Sequence, residues 1–473
     1  MVMAMVACGP GAPEEELIIL HTGRLGGNVY PLADQRQPGT PLQHYPYLAG
    51  YIKAVRAEAN QRGIPVLLLD SGDSLVGSFA SHVTGSRNVA TLFNELGYDL
   101  LVLGNLDAEL DPAILNELKM PVLNPFANSV GRPAMEGTEF WTRINKGKTA
   151  VNVFANFYGD VNVEQFPTRF PMWFGRETGP VVPIRDYAPL AEAAQAKGPG
   201  ALNVFHWMKF EGGVEAPQTY LEGLKALGMD LIVAHRIYSR SKRDVWGQGD
   251  FSAWSIPVSE NILRRNQGFT VARADLEKRN GQWRVTGHQL KQMTANTAPA
   301  DPAILETMAA FGPQVAAANR TVGELSRPMT AEDVLKAYMV ALSETAEATT
   351  VVSSPESIRT ELDAGPLVAS SLFDALPWTS PVVRLTLDDG QAAKLRGSED
   401  LTRLERRGAE SPVTVLTSRY FGEVLRRELG LRPDQIEVLA LGSEYEIFLA
   451  FATRIGDLSV LQIPEGWDYV KAR

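Results

Sequence analysis

Three short apolar runs in the first hundred residues, each closing on a glycine-bearing polar turn, constrain this chain more than any other feature. They are Leu17-Ile18-Ile19-Leu20, Ile64–Asp70 and Asp99–Leu103. Runs this short and this apolar suit strands covered on both faces. Between the first two, Leu48, Ile52 and Val55 give Tyr47–Arg62 the spacing of an amphipathic helix ending at Gly63, and Val89–Leu96 repeats the pattern before the third. Strand, helix, strand, helix, strand implies an α/β layered core. In such a core, binding residues collect just past the strand C-termini, which places Thr22–Gly27, Ser71–Ser78 and Gly104–Glu109 on one rim.

The strand pattern resumes at Lys148–Phe154, Ala201–Phe205 and Asp230–Val233. Gly268–Leu276 and Gly281–Leu290 read as a hairpin turning at Arg279-Asn280-Gly281. Gln165–Pro189, rich in proline and aromatic residues, reads as an irregular surface excursion. Ala298–Asn319 reads as a helical connector, and a second domain begins near Gly323, with a helix over Ala331–Thr345 and β-rich sequence through Val382–Leu387. The 473 residues are too many for one ordinary domain and suit two. The expected division is 1–16 tether, 17–297 first domain, 298–322 connector and 323–473 second domain.

A net charge of −10 argues against nucleic acid as a partner and against an anionic membrane surface. No run of about 18 apolar residues is present to span a bilayer. The single cysteine, Cys8, excludes an intrachain disulfide. It follows the apolar stretch Met1–Ala7 and precedes Gly9-Pro10-Gly11-Ala12-Pro13 and Glu14-Glu15-Glu16, which resembles the lipidation site of a bacterial lipoprotein. The expectation is an exported protein in the periplasm or on the membrane surface, touching membrane only through a lipid at Cys8. An arbitrary N-terminus is the competing reading, since no basic segment precedes the apolar run.

The turn sequences carry a family resemblance. His21-Thr22-Gly23-Arg24-Leu25-Gly26-Gly27 resembles a segment H-T-N-D-x-H-G, and Asp70-Ser71-Gly72-Asp73-Ser74-Leu75-Val76-Gly77-Ser78 matches D-x-G-D-x-x-x-G-S. Gly104-Asn105-Leu106-Asp107 resembles G-N-H-E, and Asp230–Tyr238 resembles D-x-I-x-G-G-H-x-H. In the second domain, Ser357–Pro366 resembles a G-G-I-R segment and Ser371–Trp378 an F-x-x-L-P-F run. In this order the motifs resemble those of the 5′-nucleotidase family over nearly the whole chain. The resemblance implies an α/β fold: a four-layer metallophosphoesterase sandwich of calcineurin-like type, followed by a smaller α+β 5′-nucleotidase C-terminal domain.

The resemblance also implies a two-metal site, and this chain departs from it. The family's first-turn Asp and His fall on Arg24 and Gly26. Its bridging Asp falls on Asp73, its Asn on Asn105, and one His on His206. Its last two His fall on Arg236 and Tyr238, or on His235 and a lost position if the alignment shifts by one residue. The proton-donating His falls on Leu106, which leaves its orienter, Glu109, without a partner. A guanidinium does not deprotonate to bind metal, so Arg24 is expected to pair with Asp73 instead. The expected cofactor content is therefore none, with at most one metal ion on Asp73, Asn105, His206 and His235, and no catalytic residue is expected.

Each remnant also has a scaffold reading. Asp73 and Asn105 can hold their turns through backbone hydrogen bonds, and His206 can be a rim histidine. In the second domain Arg359 keeps one phosphate-binding position implied by the resemblance. The glycine-rich loop after Val413–Phe421 is replaced by a helical Gly422–Arg427, and Ala393–Glu410 is short and charged where an aromatic loop is expected. His21, His44, His82 and His288 match no metal-ligand position, and Tyr45, Tyr47 and Trp207 read as packing residues. Three functions compete. One is a non-catalytic exported binding or assembly subunit with an unidentified protein partner in the cell envelope. The second is a phosphoesterase or thiosulfohydrolase-like hydrolase with a rearranged or single-metal site. The third is a solute-binding protein using the interdomain cleft.

Overall fold

The computed structural model describes residues 12–23, 25–27, 32–33, 41–42, 44–104, 107, 110–127, 132–133, 135–158, 182–183, 187–198, 200–209, 218–236, 252–257, 270–293, 295–399, 401–409 and 411–472. The first apolar runs become parallel neighbours: β1 (Glu15–Thr22), β2 (Val66–Asp70), β3 (Leu100–Val102) and β4 (Val122–Leu123). A second sheet follows from β5 (Trp141–Lys146), β6 (Thr149–Tyr158), β7 (Leu202–Lys209), β8 (Leu231–Arg236) and β9 (Ser252–Pro257), parallel except at β5. The hairpin β10 (Thr270–Arg279) and β11 (Gln282–Gln292) returns to the first sheet, adding β10 antiparallel to β1. Asn280 and Gly281 both take positive φ (52° and 73°), the turn chemistry that the Asn-Gly pair predicts.

Alternation along the strands explains why they are apolar throughout. Leu17, Ile19, Leu67, Leu69, Leu100 and Val102 face Val151, Val153, Leu202, Val204, Leu231 and Val233 between the two sheets. Their neighbours Ile18, Leu20, Leu68 and Leu101 face outward onto helices α1 (His44–Arg62) and α3 (Arg87–Leu96). Phe154, Phe205 and Ile232 on the far side of the second sheet are covered by α4 (Ala188–Ala196) and α5 (Gln218–Ala226). The result is helix, sheet, sheet, helix: four layers. The short helix α2 (Phe79–Thr84) lies between β2 and α3.

Helix α6 (Pro302–Ala318), capped by Asp301, starts in one core and ends on another. Ile304 and Met308 belong to the first body, whereas Val315 and Ala318 pack against the second. The second body pairs β12 (Thr321–Leu325) with a strand at Gly365–Val368, and centres on a six-stranded mixed sheet that includes Thr350–Ser353, Pro381–Leu387, Val413–Ser418 and the edge strand Ile436–Ser443. Helix α7 (Ala331–Thr345) opens on a Thr330/Asp333 capping box. It is packed with α8 (Ala369–Ala375) and a later helix, Glu444–Ile455, on one face of that sheet. The expected helix at Gly422–Arg427 lies within a longer one, Arg419–Glu428, covering the other face with Asp389–Gly397. Most of the Gln165–Pro189 excursion lies outside the described residues. Among the described residues no helix is long and apolar enough to cross a membrane.

The two-sheet core sets a measurable asymmetry. Leu17→Ala empties a fully buried position between the sheets and is expected to cost about 2–5 kcal/mol in urea unfolding. Val438→Ala, at an exposed position on the edge strand, should stay within about 0.5 kcal/mol.

Candidate functional site

The register of the parallel strands brings three turns to one rim. Thr22 lies beside Asp70, and Asp70 beside Leu101. The turns then pack backbone to backbone. The amide of Gly26 donates to the carbonyl of Asp73 and that of Gly27 to Ser74, each at 2.9 Å. Gly72 has φ +85°, and a Cβ there would stand 2.2 Å from the Gly104 nitrogen and 2.4 Å from the Val102 oxygen, so no other residue fits. Asp73 itself takes a left-handed φ of 52°. A Cβ on Gly104 would lie 2.3 Å from its Oδ1, so the carboxylate rests directly on the third turn.

Three carboxyls are buried here. Asp70 accepts the Thr22 hydroxyl at 2.6 Å and the Gly72 amide at 2.8 Å. Asp107 accepts amides from Asp73 (2.7 Å) and Gly104 (2.9 Å) on one oxygen and from Leu75 (3.2 Å) on the other. Asp73 is 1% exposed. Burial pushes the Asp70 carboxyl up to about 6, and burial with the neighbouring charge of Asp73 pushes Asp107 up to about 8. Asp107 was assigned no role from the sequence. The available signal was an aspartate three residues after Gly104, spaced to accept the amides of its own turn.

Two imidazoles close the inner end of the rim. His21 follows Leu17 and Ile19 on the inter-sheet face of β1, and its Nε2 contacts the Ser71 hydroxyl. His206 follows Leu202 and Val204 on the corresponding face of β7. The two rings meet edge to face, centroids 6.1 Å apart, and both are buried. His206 thus lies against His21, a residue the motif reading left outside the metal set, and His21 touches Ser71, two positions before Asp73. Gly26 contributes its backbone and a left-handed turn (φ 62°). Arg24, Asn105, Leu106, Glu109, Tyr238 and Cys8, and the side chains of His235 and Arg236, lie outside the described residues. A two-cation site needs a converging set of carboxylate, amide and imidazole donors. Among the described residues no group of three or more carboxylates, imidazoles or thiolates is disposed to hold a metal ion, so these residues alone do not make up the set that the resemblance implies.

A second feature lies where the two bodies meet. A cavity of about 150 Å³ is walled by Gly77, Ser81, His82 and Asp111 from the first and by Arg359, Phe373 and Trp378 from the second. Arg359 is half-buried there rather than solvated: its guanidinium lies 4.6 Å above the Trp378 ring, whose Nε1 donates to the Ser357 carbonyl at 2.7 Å. The sequence motifs located Arg359 and the Ser371–Trp378 run but not their common wall, which depends on the way α2 meets α8.

No family model and no curated protein matches the sequence. Solved structures do match. A 5′-nucleotidase precursor from Thermus thermophilus is 14% identical with a TM-score of 0.65, covering 93% of this chain and 97% of that one. A putative 5′-nucleotidase from Staphylococcus aureus in complex with alpha-ketoglutarate is 13% identical with a TM-score of 0.65, covering 96% and 99%. A sulfate thiohydrolase from Thermus thermophilus in complex with glycerol is 14% identical with a TM-score of 0.59, covering 98% and 99%. The chain therefore has the two-domain α/β fold of the 5′-nucleotidases over almost its whole length.

The buried carboxyls predict a pH dependence. Asp70 and Asp107 titrate higher in the folded protein than the value of about 3.9 in an unfolded chain, so the folded state holds more protons in between. Their contribution is complete below about pH 4 and is lost as pH rises through about 6 and about 8. The denaturation midpoint, followed from pH 4 to 9, should carry a destabilising slope toward high pH. Asp107→Asn, which cannot titrate, should flatten the upper part of that slope relative to wild type.

Proposed function

We propose that this chain is a non-catalytic protein of the 5′-nucleotidase fold that works by binding at the cleft between its two bodies. The observation that carries this reading is the donor inventory of the rim. Around Asp73 the described contacts include the Gly26 amide on its carbonyl, the close approach of Gly104 and the Asp107 carboxyl on its amide, so these turns are held by groups that need no cation. The sequence adds Arg24, Leu106, Arg236 and Tyr238 at the positions where the resemblance calls for ligands and the proton donor. On this reading no metal cofactor is needed. The protein is exported and tethered through Cys8, and its partner is a protein of the cell envelope.

A second reading, a hydrolase of the phosphoesterase or thiohydrolase kind, is supported by the buried His206 ring beside His21, which touches Ser71 on the turn that carries Asp73. A single cation on Asp73, Asn105, His206 and His235 would act there as a Lewis acid.

Metal analysis of purified protein together with hydrolysis assays on 5′-nucleotides and a sulfate-ester or thiosulfate substrate separates the two. We expect substoichiometric metal and no turnover above background. Two equivalents of manganese or zinc with robust turnover would overturn the proposal; one equivalent, with turnover lost in Asp73→Ala, would establish the second reading. For the tether, expression of the chain with its complete leader should place it in the membrane fraction, and Cys8→Ala should release it. Unchanged fractionation would remove the lipid anchor from the proposal.

A further inference from the structure

The interdomain cleft is closed by a clasp of rings, one of which can take up a proton. The six-residue helix α2 stands on the first body, held by a reciprocal Ser78/Ser81 capping box and by Gln314 of α6, which donates to the Val83 carbonyl at 3.0 Å. It projects two rings into the second body. Phe79 meets Phe373 edge-on at 6.1 Å. His82 stacks on Phe373 with centroids 5.1 Å apart and planes inclined by 27°, and meets Tyr445 edge to face at 5.3 Å. The receiving side is itself fixed: Phe373 and Tyr445 pack against each other at 5.0 Å, and the Tyr445 hydroxyl donates to the Ala369 carbonyl at 3.1 Å. His82 also forms part of the cavity wall opposite Arg359 and Trp378. One side chain thus belongs both to the contact between the bodies and to the space between them.

We propose that this clasp is a pH-sensitive latch, in which protonation of His82 loosens α2 from Phe373 and Tyr445 and opens the cleft that His82 lines. A neutral imidazole packs between the two rings as an aromatic plate. An imidazolium in the same place gives up hydration that two apolar rings do not replace, and stacking of its charge over Phe373 returns only part of that loss. Burial already holds the His82 pKa below its ordinary value of about 6.5. The closed form therefore binds the proton more weakly than the open one, and acidification from about pH 6.5 downward shifts the balance toward opening.

The charged groups around the ring do not remove that bias. From the Glu444–Ile455 helix, Glu446 favours the protonated ring, but it also accepts the Ser443 amide at 2.8 Å in a helix cap. Glu444 is buried and bound to the Tyr338 hydroxyl at 2.6 Å. From α8 comes Asp374, from the residue just before β12 Arg320 acts on Tyr445, and from the cavity walls come Arg359 and Asp111. At the start of α3, Arg87 is paired with Glu117, and α6 presents the neutral Gln314 to α2. The cavity is well below the ~300–1,000 Å³ of ordinary ligand pockets, so admission of a larger ligand requires the bodies to part. That consequence rests on the cleft-binding reading; the latch itself does not.

Because Cys8 is the sole native cysteine, spin labels can be placed specifically in the full chain. The labelling positions are Ala113→Cys and Glu361→Cys in a Cys8→Ser background, both exposed and two residues from the cavity-lining Asp111 and Arg359. Between pH 8 and pH 5 the interlabel distance distribution should shift from short to long with His82 present. His82→Phe should hold the short distance at every pH, and His82→Lys should give the long one throughout. Asp374→Asn should respond as wild type does, with circular dichroism confirming the fold of each variant. A pH response unchanged in His82→Phe, or no response in a folded wild type, overturns the latch. Label movement without ligand binding would leave the latch standing and remove only the cleft-binding reading, whereas ligand binding with immobile labels would do the reverse.

Discussion

A single buried carboxyl joins the turns at the rim. Asp107 takes amides from Asp73 and Leu75 on the second turn and from Gly104 on its own, so the loops after β2 and β3 cannot move separately. The first turn is tied in by amides of Gly26 and Gly27 on carbonyls of the second. Orphaned backbone groups at strand ends are costly when buried, and here they are satisfied by one another and by Asp70 and Asp107. The arrangement tolerates little variation. Gly72 and Gly104 lie so close to neighbouring atoms that any side chain would push the turns apart.

The two bodies are coupled by different means. α6 is a covalent and apolar tie: its first half is buried with α1 and α3, and its last turn rests on the second core. The ring cluster of Phe79, His82, Phe373 and Tyr445 is a noncovalent tie beside it, on the helix that Gln314 of α6 holds. Arg359 on Trp378 lines the cavity next to these rings. A contact made of a few rings separates at far lower cost than either main core, because it buries little area beside the layers within each body. Motion between the bodies therefore concentrates at the cleft, and its control falls to the residues of the clasp.

Much of this architecture was legible in the residues. The apolar runs at 17–20 and 64–70 announce strands covered on both faces, and Asn280-Gly281 announces its hairpin, because burial and positive φ act locally and leave marks in composition. The Ala331–Thr345 helix is marked at its start by a Thr330/Asp333 cap that any reader can find. What could not be read is long-range. Nothing in the sequence says that Asp107 reaches back to the amides of Asp73 and Leu75, or that His82, which matches no motif, stacks on Phe373 almost three hundred positions later. The motif that carries Arg359 does not say what its guanidinium rests on. Its place above Trp378 depends on the fold of the 371–378 segment rather than on its own neighbours.

The intact Asp70–Ser78 motif is the strongest argument for an enzyme, and it weakens when each member is asked what it does. Asp70 binds Thr22 and Gly72. Ser71 donates to the Thr22 carbonyl and touches His21. Gly72 and Gly77 have left-handed φ against neighbouring backbone, and Asp73 takes a left-handed φ while its amide feeds Asp107. Ser74 accepts the Leu25 amide, and Ser78 caps α2 while donating to the Gly27 carbonyl. Each of these members has a structural task that would persist without any cation. A motif whose members are all needed to close a set of turns reports the fold. Evidence for chemistry has to come from side chains the turns do not need, such as the His206 ring buried beside His21.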